Sequence, residues 1–183
     1  LEQTNEPYAI AKIAGLKLCE NLNRQYGMRF VSVMPTNLYG PNDNYDLINS
    51  HVLPALIRKA HEAKINGDVN LSVWGSGAPR REFLYVDDMA DACVFLMERG
   101  VSQGMYNIGC GSDIPIGELA TIVMDVVGLT GALVYDASKP DGTPRKLLDV
   151  SRMSALGWRS STNLIDGIAK AYAAFLKTKI KNN

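Results

Sequence analysis

The run Pro7-Tyr8-Ala9-Ile10-Ala11-Lys12 decides how this chain is read. Proline suits the first turn of a helix, because the amide it lacks would be unpaired there anyway. A helix that starts at this proline carries Tyr8 and Lys12 four residues apart, on one face. A tyrosine hydroxyl titrates near ~10 and is a poor acid or base at neutral pH. A lysine ammonium beside it favours the phenolate and eases proton exchange with a substrate oxygen. The spacing therefore fits an acid/base pair, and it also fits an ordinary helix with one aromatic and one solvated lysine. The helix is expected over 7–26, ended by Gly27. Residues 29–35, through Phe30, Val31, Val33 and Met34, read as a parallel strand that is apolar and buried on both faces. A polar loop over 36–48 follows, rich in Asn and Asp.

Further along, helical periodicity covers 50–65, and 69–74 alternates as a strand should, before the turn Gly75-Ser76-Gly77. A short strand is expected over 82–86. Asp87 is expected to cap a helix over 88–99 that buries Met89, Ala92, Cys93, Leu96 and Met97. A strand over 104–108, a helix over 116–127 and a strand over 132–135 come next. The Pro/Gly-rich loop 138–145, a short helix after Ser151 and an amphipathic helix over 162–177 complete the chain.

Composition narrows the function classes. The 183 residues suffice for a domain with a real core, and 46% hydrophobic residues is ordinary for a globular protein. Lys plus Arg and Asp plus Glu both number 19, so no global field draws the chain to nucleic acid or to a membrane surface. Cys19, Cys93 and Cys110 are odd in number and widely spaced, which fits neither a disulfide framework nor a zinc site. They read as small core residues of a protein in a reducing, cytoplasmic compartment. No metal is implied. No apolar run approaches the ~20 residues that span a bilayer, and no signal-peptide pattern is present.

Four ordered segments carry a resemblance. They are Tyr8-x-x-x-Lys12, Pro35-Thr36-Asn37-Leu38-Tyr39-Gly40-Pro41, Arg80-Arg81-Glu82-Phe83-Leu84-Tyr85-Val86-Asp87-Asp88 and Tyr106-Asn107-Ile108-Gly109. In this order they resemble the extended short-chain dehydrogenase/reductase family, enzymes that modify nucleotide sugars with a nicotinamide cofactor. Asn49-Ser50-His51-Val52, Val73-Trp74-Gly75-Ser76-Gly77 and the run from Asp136 to Asp149 resemble one branch of it. That branch comprises the NADPH-dependent 3,5-epimerase/4-reductases of GDP-4-keto-6-deoxy-D-mannose. The resemblance implies an α/β fold: the C-terminal part of an NAD(P)-binding Rossmann fold over about 1–41, and a small α/β substrate domain over 42–183. Some elements of the second part are expected to return to the Rossmann sheet. It also implies a cytoplasmic homodimer, paired through helices that include the Tyr8-Lys12 helix, with the exposed side of 13–26 covered.

The same resemblance assigns roles. Tyr8 is implied as the acid that protonates the C4 oxygen, and Lys12 as the residue that holds the nicotinamide ribose. Pro35, Thr36, Asn37 and Leu38 are implied to line the nicotinamide. His51 is implied to lie near the cofactor and to act as an acid in epimerisation, which suits a group that titrates near neutrality; His61 reads as a surface residue. The epimerisation cysteine and its serine lie upstream in the family, and none of the three cysteines here matches them. Arg81 is implied to bind diphosphate, and Trp74 offers a stacking face. Lys59 stands where bacterial relatives carry arginine, which keeps the charge but loses the forked geometry. Asp141 is implied to meet guanine or a sugar hydroxyl, and Lys146 a phosphate. Arg80 and Arg145 adjoin these positions without a clear part.

No glycine-rich dinucleotide fingerprint occurs, and Ile108-Gly109-Cys110-Gly111 has too few glycines for one. The chain is therefore expected to be the C-terminal part of a longer enzyme, and inactive by itself. Two other readings stay open: a nucleotide-sugar 4-epimerase or 4,6-dehydratase that prefers UDP or dTDP, and a non-catalytic GDP-sugar-binding module.

Overall fold

The computed structural model describes residues 1, 3–47 and 49–181, so Ile48, the last residue of the expected polar loop, and Asn182 and Asn183 lie outside the described residues. A 3-10 turn (Gln3–Asn5) leads into α1 (Glu6–Tyr26). Pro7 sits in its first turn, and Gly27 closes it with φ 63°, where a side chain would be strained. β1 (Ser32–Pro35) pairs in parallel with β6 (Met105–Ile108). One residue later the chain changes partner: β2 (Asn37–Tyr39) pairs in parallel with β5 (Phe83–Tyr85). Thr36 bridges the change by donating its backbone N–H to Ile108 O at 3.0 Å.

The remaining elements build the larger core. α2 (Val52–Asn66) and α4 (Ile116–Val127) pack on each other and on β3 (Asn70–Trp74), which runs parallel to β8 (Ala132–Asp136). β3 alternates between exposed and buried residues, with Leu71 and Val73 facing inward, as a period of two requires. α4 buries Leu119, Ala120 and Val123 completely. A leucine so placed contributes ~1.5–3 kcal/mol by leaving water. A small sheet joins β7 (Ile114–Pro115), β4 (Arg80–Arg81) and β9 (Arg145–Lys146), antiparallel and parallel respectively. α3 (Val86–Glu98), α5 (Ser151–Leu156) and α6 (Leu164–Lys181) complete the fold.

All three residues of β5 are buried because the strand runs between two apolar clusters. Phe83 and Tyr85 join Leu53, Ile57, Leu119 and Ile168 on one side, whereas Leu84 joins Ala92, Leu96, Ile108, Met153 and Trp158 on the other. Glu82, immediately before β5, is 0% exposed. Its carboxyl oxygens accept the Gly111 N–H at 2.7 Å and the Leu148 N–H at 3.0 Å. Its carbonyl accepts Thr36 Oγ1 at 3.1 Å and Asn37 Nδ2 at 2.7 Å. A Cβ at Gly109 would lie 2.3 Å from Glu82 Oε1, so only glycine lets the two segments approach. A second buried acid, Asp88, accepts Ser161 Oγ at 2.8 Å and the Thr162 N–H at 3.0 Å, tying the start of α3 to the approach to α6.

Several expectations need correction. β1 is not buried on both faces: Met34 and Pro35 are exposed. The reason is that α1 buries no residue and that β6 is the one strand beside β1 among the described residues. The polar loop 36–48 begins with a strand, β2. Asp87 does not cap α3; the helix starts at Val86, its N-cap is Tyr85, and no side chain makes the capping bond. Met97 is exposed and Cys93 only partly buried, because the buried stripe of α3 runs through Asp88, Ala92 and Leu96. Cys110 is exposed rather than in the core; its thiol donates to Ser112 O at 3.3 Å.

Glu82→Gln turns one acceptor into a donor aimed at a backbone N–H. We expect a loss of about 2 kcal/mol, read as a fall of roughly 4–8 °C in the thermal midpoint by calorimetry. An unchanged midpoint would show that the Glu82 bonds do not hold the fold.

Candidate functional site

α1 displays Tyr8 and Lys12 on one exposed face, as the spacing of four requires. Tyr8 is 62% exposed, and the Lys12 ammonium lies 5.4 Å from the centre of its ring. Lys12 makes no ion pair among the described residues. Pro35 to Leu38 span the point where the chain leaves β6 for β5. Strands that change partner leave a crevice at their carboxyl ends, a recurrent place for a nucleotide. Here the side chains of Thr36 and Asn37 are already bonded to the Glu82 carbonyl, and Leu38 packs against Leu84. His51 is the N-cap residue of α2, exposed, and makes no capping hydrogen bond. Its charge acts on Asp43, whose carboxyl is nonetheless held above the ordinary value by burial.

Of the implied sugar-nucleotide residues, Lys59, Trp74, Arg81 and Asp141 gather elsewhere, in two small adjoining cavities, and Lys146 lines neither. One, of about 190 Å³, includes Ser50, Val52, Lys59, Val73, Trp74 and Ile116 in its lining. The other, of about 150 Å³, includes Val52, Trp74, Arg81, Ile116, Asp141 and Gly142. They share Val52, Trp74 and Ile116, and Trp74 is 55% exposed between them. Two ammonium groups approach its ring: Lys59 at 5.0 Å and Lys139 at 5.5 Å from the centroid. Burial pushes the Lys59 ammonium below its ordinary value, partly offset by Asp136. Tyr8, Lys12 and His51 line neither cavity.

Arg81 is fixed from behind, since its Nη1 donates to Thr143 O at 2.6 Å and to Arg80 O at 2.8 Å. Asp141 is a loop clamp: its oxygens accept the Ser76 N–H at 2.9 Å and Ser76 Oγ at 2.6 Å, and these bonds hold its carboxyl below the ordinary aspartate value. Gly75 makes this possible. A Cβ there would lie 2.2 Å from Asp141 Oδ1, and its φ of 71° suits glycine. Lys146 is exposed on β9, opposite Arg81 on β4 in the register.

Arg80 and Arg145, ambiguous in the sequence, converge on Asp113. Arg80 Nε reaches Asp113 Oδ1 at 2.8 Å, and Arg145 Nε meets the other oxygen. They brace the Arg81-bearing sheet. His61 is no surface residue: Nδ1 is 3.0 Å from the Tyr172 hydroxyl, and its ring stands edge-on to Phe175. Sequence reasoning missed Glu82, although it stands inside the quoted Arg80–Asp88 segment. No group of three or more His, Cys, Asp or Glu side chains among the described residues forms a metal site. No helix there is long and apolar enough to cross a membrane.

Comparison with known proteins adds to this geometry. Residues 1–109 match the NAD dependent epimerase/dehydratase family. Over 182 residues the chain is 57% identical to a GDP-L-fucose synthase of Sinorhizobium fredii, covering 100% of this chain and 58% of that protein. It is 56% identical to GDP-L-fucose synthase 1 of Arabidopsis thaliana, covering 97% of this chain and 55% of that protein. The crystal structure of a GDP-L-fucose synthetase from Naegleria fowleri bound to NADP superposes with a TM-score of 0.79 at 31% identity, covering 94% of this chain and 55% of that one. The chain thus spans little more than half the length of these relatives.

The Arg145 bond, then the Arg80 bond, hold the Asp113 carboxyl below its ordinary value of 3.8. A carboxyl so depressed in the folded state contributes stability that is full above 3.8 and is lost as pH falls through the lower folded value. Asp113→Asn should therefore flatten the acid limb of the stability curve. Urea denaturation between neutral pH and about 3 should show the unsubstituted chain losing more stability than the variant. Parallel curves would exclude the Asp113 clamp as the source.

Proposed function

Because the chain belongs to the NAD dependent epimerase/dehydratase family, we propose that it supplies the acid/base pair and the sugar-nucleotide pocket of a GDP-L-fucose synthase. The reaction is the NADPH-dependent 3,5-epimerisation and 4-reduction of GDP-4-keto-6-deoxy-D-mannose. The observation that carries this reading is spatial. Trp74, Arg81 and Asp141, far apart in sequence, line one cavity, and Lys59 lines its neighbour against the same tryptophan. Trp74 offers an apolar face to the base. Arg81, fixed by Thr143, aims a guanidinium where a diphosphate needs paired donors. Lys146 on the next strand adds a second cation to that rim. Asp141, already clamping Ser76, keeps lone pairs for a sugar hydroxyl or the base.

The residues present fit a nicotinamide cofactor: Lys12 is exposed with no ion-pair partner among the described residues, and Pro35–Leu38 lie where the strand changes partner. NADP(H), when bound, supplies the hydride for the C4 carbon. Lys12 holds the ribose and, as a cation beside the ring, favours the Tyr8 phenolate. Tyr8 gives a proton to the C4 oxygen as it gains negative charge. His51, exposed before α2, returns a proton to carbon in epimerisation. The domain division belongs to the same proposal, with 1–41 and the returning strand β6 as one part and the rest mainly the substrate domain. So does a homodimer: α1 leaves Ile10, Ile13 and Leu18 exposed along 21 residues. Sedimentation equilibrium should give twice the chain mass, and a monomer at all concentrations would reject it.

The enzymatic test uses a chimera, in which this chain is joined to the portion of the Sinorhizobium fredii relative that it does not span. With GDP-4-keto-6-deoxy-D-mannose it should oxidise NADPH and yield GDP-L-fucose. Tyr8→Phe should lower the reduction rate by about 10²–10⁴-fold, the range of a lost general acid. Turnover on UDP or dTDP sugars instead would sink the substrate assignment and leave the fold standing. The 183-residue chain by itself, with no glycine-rich fingerprint, should bind GDP without turnover.

A further inference from the structure

Three short strands meet at one carboxylate. Asp113 stands just before β7, and its side chain is 3% exposed. Its Oδ1 accepts Arg80 Nε at 2.8 Å, its other carboxyl oxygen accepts Arg145 Nε, and its carbonyl accepts Arg80 Nη2 at 2.9 Å. Arg80 lies on β4 and Arg145 on β9, and the register sets them side by side. Two guanidinium groups so placed repel unless a negative charge stands between them. The next pair in the same register is Arg81 and Lys146, the two cations of the phosphate rim. The seat of Arg81 spans the two strands that Asp113 joins. Its Nη1 donates to Arg80 O on its own strand and to Thr143 O, two residues before Arg145. Backbone bonds between these strands are few: Arg80 N–H reaches Pro144 O at 2.8 Å, and Glu82 N–H reaches Lys146 O at 3.3 Å. Two residues are short for a strand, so the distance between the two acceptors of Arg81 depends on the side-chain clamp as well.

We infer that Asp113 is a positioning residue for the diphosphate: by neutralising Arg80 and Arg145 it keeps β9 against β4, and so keeps the Arg81 guanidinium and the Lys146 ammonium at the spacing that two phosphates need. This rests on the GDP-sugar reading above. Asp113 lines neither cavity beside Trp74, so it acts through the arginines and not on the ligand. Its own charge works against the ligand, since a carboxylate repels phosphate. The two effects have opposite signs. Removal of the charge alone strengthens GDP binding, whereas loss of the clamp weakens it.

The test titrates the 183-residue chain, its Asp113→Asn variant and the double variant Asp113→Asn with Arg145→Gln. Calorimetry at low salt reads GDP affinity, displacement of GDP reads guanosine affinity, and thermal unfolding shows that each chain is folded. Asp113→Asn should lower GDP affinity about 10-fold, as for one lost hydrogen bond to a charged group, and leave guanosine affinity unchanged. The double variant removes one of the two like charges, and should return GDP affinity to within about threefold of the unsubstituted chain although it has lost a cation. Unchanged or stronger GDP binding in Asp113→Asn would overturn the role of Asp113, and so would equal losses for GDP and guanosine. If Asp113→Asn does not fold, the double variant decides: recovery supports the clamp, and a larger loss overturns it. Failure of the unsubstituted chain to bind GDP would sink the GDP reading itself, and this inference with it.

Discussion

The position of Glu82 is the constraint from which the rest follows. Its side chain receives two backbone amides from loops 29 and 66 residues further along the chain, and its carbonyl receives the side chains of Thr36 and of Asn37, the first residue of β2. Three loops are thereby fixed to one residue that no water reaches. β5 begins at the next residue and sends alternate side chains into the two apolar clusters, so the same anchor registers both cores. Remove the carboxyl and these amides lose their acceptor, a cost of about one to three kcal/mol for each group left buried and unpaired. The place where the strand changes partner, at Thr36, hangs on this anchor too. The candidate cofactor crevice is thus tied to Glu82 through the side chains of Thr36 and Asn37.

Much of the fold was legible because the helices carry their own punctuation. Gly27, Gly67 and Gly128 stand at the ends of α1, α2 and α4, and the apolar periodicity before each is regular. The errors fall where tertiary context decides. β2 was hidden because Asn37 reads as a loop residue, although its side chain finds a buried carbonyl that no local pattern announces. Met97 looked like a core residue from its spacing, yet the inward face of α3 is set by Asp88, whose partners lie more than 70 residues away. His61 was read as exposed because its neighbours Lys59 and Glu62 are charged, and Tyr172 and Phe175 come from the far end of the chain.

The candidate site divides in the same way. Tyr8 and Lys12 are legible because a helix alone brings them together. Trp74, Arg81 and Asp141 could be named from resemblance, but their common cavity depends on β3, β4 and the loop after β8 meeting in space. Asp141 shows the limit of reading a role from residue type, since a carboxylate thought to meet the ligand also clamps Ser76.

Size alone would have chosen a different site. A cavity of about 590 Å³, which Arg81 also lines, lies between Arg80, Cys110, Asp113 and the residues before α6, larger than the two beside Trp74 combined. Its chemistry is mostly satisfied. Arg80 is neutralised by Asp113, the hydroxyls of Ser161 and Thr162 are held by Asp88, and Cys110 donates to Ser112. The small cavities carry the opposite signature: an ammonium driven below its ordinary value and an indole approached by two lysines. A lysine over an exposed ring is worth about 0.5–1 kcal/mol, whereas a stacked base is worth about 1–3 kcal/mol. A base can therefore compete for the Trp74 face and leave the ammonium groups to meet its polar edge and phosphates. Unsatisfied chemistry, more than volume, marks where a ligand completes this structure.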